Sequence, residues 1–282
     1  MVRGCFGRVQ SRFPVPIGEP IPGKRPGNHR EKSYRIYPIR RETPAFRRRS
    51  VRRERHATNG RSQTSHLCGR VYAGRVRKTT IEEWLTDLAS EAPAPGGGAA
   101  AGMNAATGAA LVSMVCNLTI GKPKFAEHEA LMTEALAEAE RLRGEAIRLA
   151  EEDAEAFSGV VAAYKLPKGT DEEKAARTAA IQAGLVDAAE VPLAVAKVSA
   201  EIIRLSGRIL DGSNPNVLSD VAVAASSAKS ALESAALNVD INLVSIKDAE
   251  QRERLASALN EAFQAKVQAE AIMQLVAKRI RA

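Results

Sequence analysis

The run Ala92-Pro93-Ala94-Pro95-Gly96-Gly97-Gly98, leading straight into residues 99–120, constrains this chain more than any other stretch. Three glycines ahead of a helix strip side chains from the turn, so backbone N–H groups can come close to a ligand. The helix after them is almost without bulk: Ala99, Ala100, Ala101, Gly102, Ala105, Ala106, Gly108, Ala109 and Ala110. A helix of that composition can be approached at short range by neighbouring helices or by a flat ligand. No strand signal precedes the glycines and no Gly-Lys-Ser/Thr comes after them, so the loop is neither a dinucleotide fingerprint nor a P-loop. Taken alone, the glycines also fit a plain loop before a core helix.

Helix signals continue along the rest of the chain. Thr80-Ile81-Glu82-Glu83 is a capping box opening a short helix through Ser90. The small-residue helix is predicted over 99–119 and is broken by Gly121-Lys122-Pro123. A long helix is next, over 125–164, then Leu166-Pro167-Lys168-Gly169, then another over 170–210 with a kink or break expected at Pro192. Gly212-Ser213-Asn214-Pro215 is a turn, and two more helices are predicted over 219–243 and 248–281. β-Branched alternation is absent. The expected fold is all-α, a bundle of long antiparallel helices with short loops. Aromatic residues make up only 4% of the chain, so its core must be built from Ala, Leu, Val and Ile.

Charge divides the chain at about residue 78. The first 78 residues hold 21 Lys+Arg against 4 Asp+Glu and include seven prolines; the remaining 204 hold 20 against 29. Residues 1–78 are expected to be a disordered Arg/Pro-rich tail, because they cannot bury enough apolar surface to offset chain entropy. If nucleic acid is contacted anywhere, the tail is where it is expected. The next methionine after Met1 is Met103, inside the first long helix, so the tail also fits a misplaced start upstream of a Val71 or Val76 codon. Residues 79–282 are expected to form the folded domain.

Cys5, Cys68 and Cys116 show no pairing pattern, which suits a reducing, cytoplasmic setting. The four histidines are scattered and no Cys/His cluster has metal-ligand spacing, so no metal site is expected. No uninterrupted apolar run reaches membrane-spanning length, so no membrane partner is expected.

Asp153 is the leading candidate for chemistry. Ala135, Ala139, Leu142, Ala146, Leu149, Asp153, Ala156, Val160 and Tyr164 recur in steps of three and four and mark one face of the long helix. Asp153 interrupts that apolar face, whereas Glu151, Glu152 and Glu155 fall off it and read as solvated charges. A buried carboxylate is costly unless paired, and its pKa rises. Pattern alone also allows a core Asp satisfied by a hydroxyl or a basic side chain. Asn238 and Asn242, spaced i,i+4, fit either the edge of a heterocycle or a cross-link between helices. Ser219-Asp220 resembles a helix N-cap, Arg177 and Lys174 a helix surface, and Lys122 and Lys168 exposed loop positions that could also bind carboxylates.

Several motifs taken in order go further. Pro95-Gly96-Gly97-Gly98, Leu118-Thr119-Ile120-Gly121-Lys122, Asp153-Ala154-Glu155-Ala156-Phe157 and Leu166-Pro167-Lys168 resemble those of the cyclodeaminase/cyclohydrolase family, as do Glu172-Glu173-Lys174 with Arg177, Asn214 with Ser219-Asp220, and Asn238-Val239-Asp240-Ile241-Asn242-Leu243. The resemblance runs from about residue 79 to 248 and over much of the last helix. It implies an all-helical homodimer acting on a tetrahydrofolate derivative with no metal or further cofactor. Asp153 matches the family's catalytic aspartate. By the same resemblance Gly96, Gly97, Gly98, Lys122, Lys168 and Arg177 would receive the glutamate carboxylates. Asn238 and Asn242 would orient the pterin or the one-carbon unit, and Asn214, Ser219 and Asp220 would complete the substrate site. Ser213, where a Gly is usual, and Asp240, in a usually apolar position, depart from the pattern. The implied activity is methenyltetrahydrofolate cyclohydrolase, with formimidoyltetrahydrofolate cyclodeaminase as the alternative. A non-catalytic helical module with a basic nucleic-acid arm is the alternative outside enzymes.

Overall fold

The computed structural model describes residues 76–282. The disordered tail, its link to nucleic acid and its possible start codons lie, but for residues 76–78, outside the described residues. Those three form a 3-10 turn, Val76–Lys78, and they belong with the domain. The Arg77 N–H donates to Glu151 at 3.2 Å and its guanidinium donates to the Gly144 carbonyl at 3.1 Å. The folded part therefore begins slightly before residue 79.

Among the described residues there is no strand. Seven α-helices run in order: α1 (Ile81–Leu88), α2 (Gly97–Asn117), α3 (Glu129–Tyr164), α4 (Asp171–Ile209), α5 (Leu218–Leu243), α6 (Ala249–Phe263) and α7 (Ala265–Arg281). The expected capping box closes between Thr80 and Glu83 at α1, and a second closes between Thr170 and Glu173 at α4. Gly121 takes a left-handed φ of 73° after α2, a conformation that favours glycine. The chain then makes a 3-10 segment, Pro123–His128, so α3 begins later than the expected 125.

Three expectations need correction. Helix α4 runs unbroken through Pro192. Proline removes the N–H that would bond the Ala188 carbonyl, and the amide Nδ2 of Asn242 donates to that carbonyl instead, at 3.3 Å. Ser219-Asp220 is not an N-cap, because α5 already begins at Leu218. The turn before it is capped by Asn214, whose side chain accepts from the Asn216 N–H. The predicted helix over 248–281 is two helices meeting at Gln264, whose backbone stays in the α region, so the interruption is a local tightening without Gly or Pro.

Helix α2 lies between α3 and α5 and also touches α4, which packs on α3 and α5. Its small residues make this possible. A Cβ at Gly102 would stand 2.9 Å from the Ala150 Cβ, and one at Gly108 would stand 3.0 Å from the Ala224 carbonyl oxygen. Alanines such as Ala99, Ala105, Ala135, Ala139, Ala224 and Ala228 are fully buried around these contacts. By length and composition α2 and α4 would each suffice to cross a membrane, yet much of each is packed inside the bundle.

At 1.5 Å per residue, α3 and α4 are each more than about 50 Å long, against about 30 Å for α2. Their ends, residues 155–180, are mostly exposed. They form a hairpin extending past the N-terminus of α2.

Candidate active site

The N-cap of α2 is Gly96, which has no side chain to satisfy the first free N–H groups of the helix. Asp153, from α3, does so in its place: its Oδ2 accepts the Ala99 N–H at 3.0 Å. The approach depends on glycine, since a Cβ at Gly98 would fall 1.9 Å from Oδ1 of Asp153. Burial pushes this carboxyl above the usual carboxylate range, and the Ala99 N–H pulls it back in part. The result is a half-buried carboxylate at the positive end of a helix dipole, with a pKa raised by desolvation. Such a group keeps its proton to higher pH than an ordinary carboxylate.

The neighbouring acids are engaged elsewhere. Glu152 pairs with Arg148, and Glu155 is exposed. Glu151, expected to be solvated, is instead tucked under Arg77 with its side chain only 11% exposed. Beyond Asp153 the apolar face of α3 drifts. Ala163 rather than Tyr164 is buried at its end, and Tyr164 is half exposed.

On α5, the amide of Asn238 lies against Gly97: a Cβ there would stand 3.6 Å from Nδ2 and 3.7 Å from Oδ1. Asn238 Nδ2 donates to the Ser234 carbonyl at 2.8 Å. Asn242 Nδ2 donates to the Asn238 carbonyl at 2.8 Å as well as to Ala188. Asn242 thus serves as a cross-link, and both Oδ1 atoms accept no hydrogen bond among the described residues. Gly96, Gly97, Gly98, Asp153, Asn238 and Asn242 therefore meet at one end of α2.

The other expected site residues lie elsewhere. Lys122 stands beyond the opposite end of α2, about 30 Å away. With Pro123, Lys124, Phe125, Asn214, Pro215 and Asn216 it lines a pocket of about 410 Å³. Asn214 is buried and fully committed: Nδ2 donates to the Leu118 carbonyl at 3.1 Å, and the backbone N–H donates to Thr119 Oγ1 at 3.1 Å. It pins the end of α2 to the following turn. Ser219 and Asp220 occupy the first turn of α5 at that same end. Lys168 lies at the tip of the α3–α4 hairpin. Arg177 donates to the Tyr164 carbonyl at 3.0 Å and sits 5.6 Å from the Tyr164 ring centroid, closing the C-terminus of α3.

Two features escaped the sequence. Phe157, one turn on from Asp153, is 44% exposed on the same side of α3; its i,i+4 spacing was the available signal. Lys124 and Asn216 join the Lys122 pocket, and nothing local marks them. Cys116 is buried and its thiol is pushed up to about 11, which leaves it unreactive. Among the described residues no group of three His, Cys, Asp or Glu side chains is placed to hold a metal ion.

Fold and site define a helical-bundle protein built round one desolvated carboxylate on a glycine-lined helix N-terminus. The chain belongs to the formiminotransferase-cyclodeaminase family, whose sequence profile matches residues 80–261. It is 50% identical over 192 residues to the methenyltetrahydrofolate cyclohydrolase of Methylorubrum extorquens, covering 64% of this chain and 92% of that one. It is 34% identical over 187 residues to the formimidoyltransferase-cyclodeaminase of Rattus norvegicus, covering 65% of this chain but only 35% of that longer protein. The crystal structure of formiminotetrahydrofolate cyclodeaminase from Thermotoga maritima matches with a TM-score of 0.63 at 30% identity, over 72% of this chain and 96% of that one.

Proposed function

We propose that this protein is a folate one-carbon enzyme that hydrolyses 5,10-methenyltetrahydrofolate, with Asp153 as its general base and acid. The observation that carries this reading is the Asp153 carboxylate, desolvated yet held by the Ala99 N–H and given room by Gly98. The methenyl bridge is an amidinium-like cation. A carboxylate beside it stabilises that cation and takes a proton from water as the water oxygen bonds to the bridge carbon. It returns that proton to the departing ring nitrogen as the carbon–nitrogen bond breaks, and the added oxygen releases its remaining proton to solvent as it becomes the formyl carbonyl. A raised pKa makes Asp153 a better base for the first step and a usable acid for the second. Similarity over nearly the whole of a cyclohydrolase supports this activity ahead of its alternative.

The alternative is formimidoyltetrahydrofolate cyclodeamination, supported by the likeness to a cyclodeaminase structure. There the second folate nitrogen attacks the same carbon and ammonia leaves, so one carboxyl group would serve both reactions. We take the chain to work as a homodimer needing no metal. Purified protein offered each folate in turn decides between the two, by loss of methenyl absorbance or by release of ammonia. Turnover of neither substrate overturns both readings.

A further inference from the structure

Five aromatic side chains lie among the described residues, Trp84, Phe125, Phe157, Tyr164 and Phe263, and none of them is buried. The buried core contains no ring, so packing does not account for the one at Phe157. Three of the others have a cation of this chain over the ring. Lys124 stands 5.8 Å from the Phe125 centroid, Arg177 5.6 Å from that of Tyr164, and Lys266 5.6 Å from that of Phe263. Among the described residues no cation stands over Phe157, which is 44% exposed.

Helical side chains lean toward the N-terminus of their helix, so the Phe157 ring lies back over the turn that bears Asp153. At i,i+4 the two Cβ atoms are about 6 Å apart. Asp153 is itself short of a partner: Oδ2 accepts the Ala99 N–H, and the carboxylate forms no ion pair among the described residues. A lone carboxylate and an open ring face therefore border the same space in front of the glycine turn. Both attract positive charge, the carboxylate directly and the ring through the negative potential of its π face. A hydrated metal ion calls for several oxygen ligands, and a single carboxylate does not supply them. A flat, delocalised organic cation is weakly hydrated and satisfies both groups, its edge on the carboxylate and its face on the ring.

We propose that Phe157 is the residue by which this site reads charge: its ring covers the one-carbon bridge of the substrate while Asp153 balances the positive charge of that bridge. The inference rests on the folate reading above. The methenyl bridge is the flat, delocalised cation that the two groups fit. Hydrolysis opens the bridge and discharges it, so the attraction of the ring ends with the charge. Phe157 thus sets the preference for the cationic substrate over the neutral formyl product, and it moves no proton.

The test separates the π face from mere apolar contact. Phe157→Leu keeps an apolar side chain and removes the ring. Its KM for 5,10-methenyltetrahydrofolate is expected to rise about tenfold, the worth of a desolvated cation–π contact. Its kcat is expected to stay the same or rise, because the ring holds the charged ground state more strongly than a transition state that is losing the charge. The inhibition constant of the product, 10-formyltetrahydrofolate, should stay within about twofold, since no cation remains for the ring to hold. Phe157→Tyr keeps the ring and is expected to hold both constants near wild type. Circular dichroism and melting curves on each variant should match wild type, as the residue lies outside the core; should Phe157→Leu fail to fold, Phe157→Met carries the same comparison. An unchanged KM in the Leu variant overturns the inference. So does a KM that rises together with the product constant, because the ring would then stack on the pterin that substrate and product share. A Tyr variant as impaired as the Leu variant overturns it as well. Wild-type protein that does not hydrolyse the methenyl compound overturns the functional reading and the inference with it, whereas an active wild type whose Leu variant keeps its KM overturns the inference alone.

Discussion

A Cβ on Gly98 would fall 1.9 Å from Oδ1 of Asp153, far inside the distance at which a carbon and an unbonded oxygen can stand. The glycine and the carboxylate are therefore one unit, contributed by two helices. Gly98→Ala is expected to drive the Asp153 side chain off its place and to lower turnover by about 10²-fold or more, within the worth of a positioned acid or base. Gly102→Ala is the control. Its Cβ would meet Ala150 and the Ala146 carbonyl rather than the site, so it should cost about 1–3 kcal/mol of stability by overpacking. Urea denaturation and initial rates on both variants check the contrast.

Asp153→Asn keeps the volume and an oxygen able to accept the Ala99 N–H, so the helix end stays capped. Activity is expected to fall by about 10²–10⁴-fold with an unchanged circular dichroism spectrum. Single-turnover rates on methenyl and formimidoyl substrates make the measurement; near-wild-type rates on both would make Asp153 a structural residue.

The raised pKa of Asp153 sets two pH dependences. The folded state holds the proton more tightly than the unfolded chain, whose carboxyl titrates near the ordinary 3.8. Between that value and the folded pKa the native state binds more protons, so this group lowers stability as pH rises through the window. The melting temperature of Asp153→Asn should therefore exceed that of wild type at about pH 7, and the gap should close as pH falls toward 4. Turnover needs the ionised carboxylate, so the acid limb of kcat/KM should lie above the usual carboxylate range. Melting curves and a pH–rate profile test the two independently.

Asn242 and Pro192 form a second inter-helix unit. Replacing Asn242 with Ala leaves the Ala188 carbonyl without its partner, at an expected cost of about 1–3 kcal/mol. In a Pro192→Ala background the restored N–H bonds that carbonyl within α4, and the same replacement should cost much less. A double-mutant cycle by denaturant melting reads the coupling directly.

These pairs mark where the sequence was legible. The cap at Thr80 was readable because all its atoms lie within four residues; the same local pattern at Thr170 with Glu173 was there to be read and was passed over. Asp153 was readable for the same reason as Thr80, since its interruption of an apolar helix face is a local pattern. Pro192 misled because its remedy comes from Asn242, on another helix. The Gln264 interruption has no Gly, Pro or capping residue to announce it. Lys122 and Asp153 could be named as a set but not placed, since order along a chain says nothing of which end of a helix each will reach. Ser219-Asp220 misled because Asn214 had already capped the turn before it.

The bond from Ala99 to Asp153 makes the backbone a witness to the chemistry. Whenever the carboxyl is protonated, the acceptor at that N–H weakens, and the electron density at the amide changes with it. The nitrogen and proton resonances of Ala99 should then move with the charge on Asp153, as the colour of an indicator tracks acid. Spectroscopy at this one peptide group would report the ionisation of the site in the resting protein, with no substrate present and no label attached.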